Sequence, residues 1–174
     1  AKEELEIILI GSHPELRKQA KSEAEEEARK PSFHYTTREA LEAQRERLGH
    51  LLNVEIPENS RAIGVARDHG DLRENAEYHA AKERQKLLAQ QVEELNGLIQ
   101  RARVVEPDQV RVNVAGFGTR VRVRDQRDGA ERVFTILGMW EADPERHVIS
   151  YLTPLGQAFL NAAVGDTVEV ALGD

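Results

Sequence analysis

The sequence predicts an α+β chain of two domains: an antiparallel α-helical coiled-coil hairpin, then a small antiparallel β-sheet with one short helix. Three observations predict it. Apolar residues recur at helical spacing from Leu41 to Ala102. Gly70 interrupts that stretch near its middle. After Glu106-Pro107-Asp108-Gln109 the apolar period drops to two. Charged residues make up 32% of the chain and aromatic ones 5%, a balance that suits exposed helical arms better than one thick core.

Residues 1–35 read as an acidic, helix-prone connector, with Glu23-Ala24-Glu25-Glu26-Glu27 between basic residues and a break at Pro31-Ser32. The first residue is not methionine and the chain ends at Ala171-Leu172-Gly173-Asp174. The expectation is the C-terminal part of a longer protein.

Residues 36–105 read as the hairpin. Thr36 and Glu39 have the spacing of a capping box, in which a threonine hydroxyl and a glutamate satisfy each other's backbone amides. Leu41, Leu48, Leu52, Ile56, Ile63 and Ala66 then form a helix-period stripe, thinned in its middle. Pro57 lacks an amide hydrogen, so a kink is expected near Ile56. Gly70 suits a left-handed helix terminus, with the hairpin tip near residues 68–75. The second helix is expected from about Asn75 to Arg103, with Leu88, Val92, Leu95, Ile99 and Ala102 alternating four and three apart as a coiled-coil seam. Two such helices joined by a short turn bury their stripes only by lying antiparallel. An intramolecular hairpin predicts a monomer.

Residues 106–109 are a linker and 110–174 the second domain. Strands are expected at Val110–Val114, at Thr119–Arg124 with its outward Arg120, Arg122 and Arg124, at Arg132–Leu137, at His147–Tyr151 and at Thr167–Ala171. Asp128-Gly129 marks a hairpin turn. Thr153-Pro154 opens a short helix, threonine at the cap and proline in the first turn.

The formal net charge of −7 makes the chain a poor autonomous nucleic-acid binder, because backbone affinity comes from neutralising phosphates. With no cysteine there is no disulfide framework and no thiolate chemistry, which favours a reducing, cytoplasmic setting. No apolar run is long enough to span a bilayer.

Gly116-Phe117-Gly118 lacks the third glycine and the following helix of a phosphate loop, so it reads as a strand turn. His79 and Glu83 lie one helical turn apart without a third ligand in range. The arginines of 120–124 have acidic neighbours and read as a solvated strand face. Asp71 and Glu74 carry two readings. A carboxylate pair before a helix is a common entry signature, and spacing alone favours capping. Asn75 is itself a good cap, however, and two carboxylates at a narrow tip repel unless a cation or a positive partner joins them. Mg²⁺ takes one or two protein carboxylates and fills its other positions with water or phosphate oxygens.

The run Arg67-Asp68-His69-Gly70-Asp71-Leu72-Arg73-Glu74-Asn75-Ala76-Glu77-Tyr78-His79-Ala80-Ala81-Lys82-Glu83 resembles the hairpin-tip signature of the bacterial Gre transcript cleavage factors. Leu51–Glu58, Glu141-Ala142-Asp143-Pro144, Ile149–Pro154 and Val164–Val170 extend the likeness over roughly residues 36–172. The resemblance implies an N-terminal antiparallel coiled coil and an FKBP-like C-terminal domain. It implies an accessory factor rather than a free-standing nuclease: the stalk enters the secondary channel of bacterial RNA polymerase, and Asp71 and Glu74 help hold a Mg²⁺ shared with the polymerase. The polymerase then cleaves backtracked RNA near the 3′ end of the transcript. Gly70, Asn75 and Tyr78 would support the tip, and Asp143, Ser150 and Pro154 would lie at the surface that docks on the polymerase rim helices. Some Gre homologues occupy the channel and inhibit without promoting cleavage, which is the alternative function. The chain departs from the family pattern at Met139-Trp140, where Trp140 is either a core residue or an added contact anchor.

Overall fold

The computed structural model describes residues 33–68, 75–126 and 128–170. The compact unit that holds every element below opens at His34. Strand β1 (His34–Thr36) leads into helix α1 (Arg38–His50), a π-helical turn (Leu51–Glu55) and helix α2 (Ile56–Asp68). Helix α3 (Ala76–Arg101) runs straight into strand β2 (Ala102–Val104). Strands β3 (Arg120–Arg124), β4 (Glu131–Leu137) and β5 (Val148–Ser150) and helix α4 (Pro154–Phe159) follow, with 3₁₀ turns at Pro107–Gln109 and Pro144–Arg146.

Three cross-links show how α2 and α3 lie. Asn75 Nδ2 donates to the Ala66 carbonyl, Asn59 Nδ2 donates to the Ala81 carbonyl, and Arg84 pairs with Glu55. As the number falls on one helix it rises on the other, so the two helices run in opposite senses. Leu41, Leu51, Ile63, Ala66 and Leu88 are buried where the arms meet.

The kink expected near Ile56 is a widening of the helix. The Ile56 amide reaches back five residues to the Leu51 carbonyl. Pro57 follows, and its missing amide hydrogen interrupts the ordinary ladder at this point. The wide turn also shifts which face points inward. Leu51 is 2% exposed while Leu52, which the sequence stripe places inside, is 46% exposed. The inward positions then continue through Glu55, Asn59, Ile63 and Ala66. Two polar residues thus fill what reads in sequence as a gap in the stripe.

The start of α1 differs from the capping box expected at Thr36. Thr37 is the cap, its hydroxyl accepting from the Ala40 amide at 3.2 Å. Thr36 belongs to β1, which pairs in parallel with β2 in the register His34↔Ala102, Tyr35↔Arg103, Thr36↔Val104.

The second sheet has the order β3-β4-β5. It is mixed rather than antiparallel: β3 and β4 form the hairpin around Asp128-Gly129, but β5 pairs in parallel with β4. The crossover Gly138–His147 carries the chain back beside Thr135, so that β5 pairs with the last three residues of β4. Val110–Val114 is not a strand. The backbone of Ala115 instead bonds to Asn161 and Ala162 after α4, and Val112 is 91% exposed. Val110 folds over Gly118, whose φ of 84° suits a residue without a Cβ. Of the expected strand Thr167–Ala171, residues 167–170 form no strand, and Ala171 lies outside the described residues. The core of this part is Ala115, Ile136 and Phe159, with Val121, Val123, Phe134, Ile149, Leu155 and Val168 around them. Gly156 of α4 lies so close to the Ser150 backbone that a Cβ would not fit.

Candidate functional site

Gly70, Asp71 and Glu74 lie outside the described residues; the residues that hold the two ends of their segment lie within them. Asn75 is the N-cap of α3, its Oδ1 accepting from the Tyr78 amide at 3.0 Å. Its Nδ2 donates across the hairpin to the Ala66 carbonyl at 2.8 Å. One amide side chain therefore starts one helix and ties it to the last turn of the other. The guanidinium of Arg67 stands 6.0 Å from the centre of the Tyr78 ring, at the outer reach of a cation–π contact. Because Asn75 occupies the cap, the helix-entry role that spacing offers to Asp71 is filled four residues later. Among the described residues no group of three or more His, Asp or Glu side chains is placed to hold a metal.

Midway along the arms, Glu55 gathers Arg47 at 3.1 Å, His50 at 3.2 Å and Arg84 at 3.8 Å. His79 and Glu83 both lie on α3.

In the C-terminal part, Asp143 is half-buried and caps the 3₁₀ turn, its Oδ1 accepting from the amides of Glu145 and Arg146. Its backbone pairs with Val148 in both directions. Ser150 turns inward: it is 5% exposed and its hydroxyl accepts from the Leu152 amide. Pro154 is exposed at the first turn of α4, which Thr153 caps as the sequence predicts, through its hydroxyl and the Gly156 amide. Of the three docking candidates, Asp143 and Pro154 reach the surface, and Ser150 supports it from beneath.

Sequence reasoning missed the junction between the two parts. Glu141 Oε1 accepts from the Thr36 hydroxyl at 2.8 Å and from the Thr37 amide at 2.6 Å. The Tyr35 amide donates to the Tyr151 hydroxyl at 3.0 Å. Trp140 meets His34 edge to face at 4.7 Å, so it packs half-buried against β1. Burial, with Arg101 nearby, lowers the His34 pKa against the opposing pull of Glu141. Burial likewise raises the Tyr151 pKa, with the Tyr35 amide opposing it. The signal that was available is Phe33-His34-Tyr35-Thr36, a β-prone run directly before a helix cap.

Two family models meet end to end across the described chain. One, described as "Transcription elongation factor, N-terminal", matches residues 34–104, and the other, "Transcription elongation factor, GreA/GreB, C-term", matches 109–174. Transcription elongation factor GreA of Treponema pallidum is 44% identical over 138 residues, 79% of this chain and 85% of that protein. The chain belongs to the GreA/GreB family of transcription elongation factors. Another GreA, from Borreliella burgdorferi, is 39% identical over 135 residues, 78% of this chain and 15% of that longer protein. The crystal structure of GreA factor homolog 1 from Thermus thermophilus matches with a TM-score of 0.41 at 21% identity, covering 79% of this chain and 89% of the other. In GreA/GreB terms, the first match ends with β2 at Val104 and the second begins at Gln109, the last residue of the 3₁₀ turn.

Proposed function

We propose that this GreA-like protein binds bacterial RNA polymerase, inserts its helical arms into the secondary channel, and stimulates Mg²⁺-dependent cleavage of backtracked RNA. The arms form the family's coiled-coil stalk and the mixed sheet its FKBP-like domain, and the protein works as a cytoplasmic monomer. The observation that carries this reading is the double role of Asn75. It supplies the cap and the cross-arm bond, and so leaves Asp71 and Glu74 free of the helix-starting task.

Two carboxylates are the hard oxygen donors that Mg²⁺ takes one or two at a time, so Asp71 and Glu74 fit that ion when a partner supplies the remaining ligands. Bound there, Mg²⁺ would supply the second metal of a two-metal phosphodiester hydrolysis. The chain's own contribution is delivery. The arms carry the carboxylates to the polymerase, Asn75 holds the two helix ends together, and the surface around Asp143 and Pro154 docks on the rim helices.

The test uses stalled, backtracked complexes with labelled RNA. Asp71→Asn is expected to leave thermal stability nearly unchanged while abolishing stimulated cleavage. Cleavage that survives in Asp71→Asn refutes the metal role. Slowed nucleotide addition without cleavage products from the unsubstituted protein supports an inhibitor instead.

A further inference from the structure

We propose that Glu141 is a positioning residue that sets the direction of the helical arms against the C-terminal sheet. The inference begins from where its bonds go. Thr37 is the N-cap of α1, so its amide stands outside the helical ladder, and Glu141 captures it at 2.6 Å. A carboxylate at the positive end of a helix makes a charge-assisted bond there and is further favoured by the helix dipole. The same oxygen accepts from the hydroxyl of Thr36, which is 1% exposed. One side chain of the sheet domain thus grips the junction of β1 and α1, where the arms begin.

The surroundings are built for this approach. A Cβ on Gly138 would stand 2.5 Å from the Tyr35 carbonyl oxygen and 2.6 Å from Glu141 Oε2, so the loop comes this close only with glycine. Trp140 closes the near side on His34, and Tyr151 adds the bond to the Tyr35 amide. The arrangement is not the most stable way to fill the space: Glu141 Oε2 and His34 Nε2 are buried without a hydrogen-bond partner among the described residues. Such groups cost free energy that an apolar side chain of similar volume avoids. What the carboxylate provides instead is direction, since two bonds to one oxygen orient helix α1 in a way that apolar packing does not.

The consequence for transcript cleavage rests on the function proposed above; the geometric claim does not. The chain has no cysteine, so spin labels on Gln90→Cys and Arg120→Cys, both exposed positions on α3 and β3, report the angle between arms and sheet. The unsubstituted joint is expected to give one narrow distance distribution. Glu141→Ala should broaden it with helix content by circular dichroism retained, and Glu141→Gln, which keeps an acceptor oxygen, should leave it narrow. If Glu141→Ala does not fold, Thr36→Val, which removes only the hydroxyl donor, should broaden it in its place. A distribution as narrow in the folded variant as in the parent overturns the proposal, as does a broad one in the parent. With polymerase, the maximal cleavage rate of Glu141→Ala is expected to fall about tenfold at unchanged half-saturating concentration, because misplacement costs rate and not docking. A parent that stimulates no cleavage refutes the functional reading, and the distance widths still decide Glu141.

Discussion

Asn75 and His34 show how differently two polar residues can be used. Asn75 satisfies every demand placed on it, accepting from Tyr78 and donating to Ala66. His34 is 6% exposed with its Nε2 unpaired among the described residues, and burial, reinforced by Arg101, pushes its pKa below the ordinary histidine value against the pull of Glu141. The sign of the pH effect follows. Below about pH 6.5 the unfolded chain takes up a proton that the folded state resists, so the stability due to neutral His34 is complete above that pH. It is lost progressively as pH falls toward the lowered folded-state value. Urea midpoints at about pH 7.5 and about pH 5 are expected to separate more in the parent than in His34→Gln, which cannot titrate. Equal separations would mean that His34 does not couple to folding.

At the scale of elements, the π-helical turn is the feature with the widest effect. By widening the helix ahead of Pro57 it turns Leu51 inward and Leu52 outward. Leu51→Ala should therefore cost about 2–5 kcal/mol of unfolding free energy and Leu52→Ala no more than about 0.5, measured by chemical denaturation. The reverse order would restore the face that ideal helical spacing assigns. The same turn explains what was legible in the sequence. The existence of the arms, the break near Ile56, the Asn75 cap and the β3–β4 hairpin all follow from local chemistry: periodicity, a missing amide, a good acceptor, an Asp-Gly turn. The inward face through Glu55 and Asn59 does not, because its polar residues are satisfied across the arms by Arg84 and the Ala81 carbonyl. The parallel pairings β1–β2 and β4–β5 are equally invisible to local pattern. Val110, Val112 and Val114 alternate like a strand, yet the backbone of the adjoining Ala115 finds its partners at Asn161 and Ala162. Asp71 and Glu74 were singled out by likeness to a family motif, since spacing alone favours a cap.

Across the whole molecule, the bonds at the Glu141 junction join residues more than a hundred positions apart, 105 for Thr36 with Glu141 and 116 for Tyr35 with Tyr151. The arms and the β3–β4 hairpin need only local chain closure. The junction needs β1, β2 and the Gly138–His147 crossover all in place. That difference sets an order of assembly, because distant contacts carry a loop-closure cost that nearer ones do not until intervening structure shortens the loop. The junction should form last. Trp140, the only tryptophan in the chain, sits in it against His34. In stopped-flow refolding, its fluorescence is expected to lag behind the recovery of helical circular dichroism, and coincident time courses would argue against this order. On this order of assembly, Trp140 is a built-in optical marker for the final folding step, at the point where the arms meet the sheet.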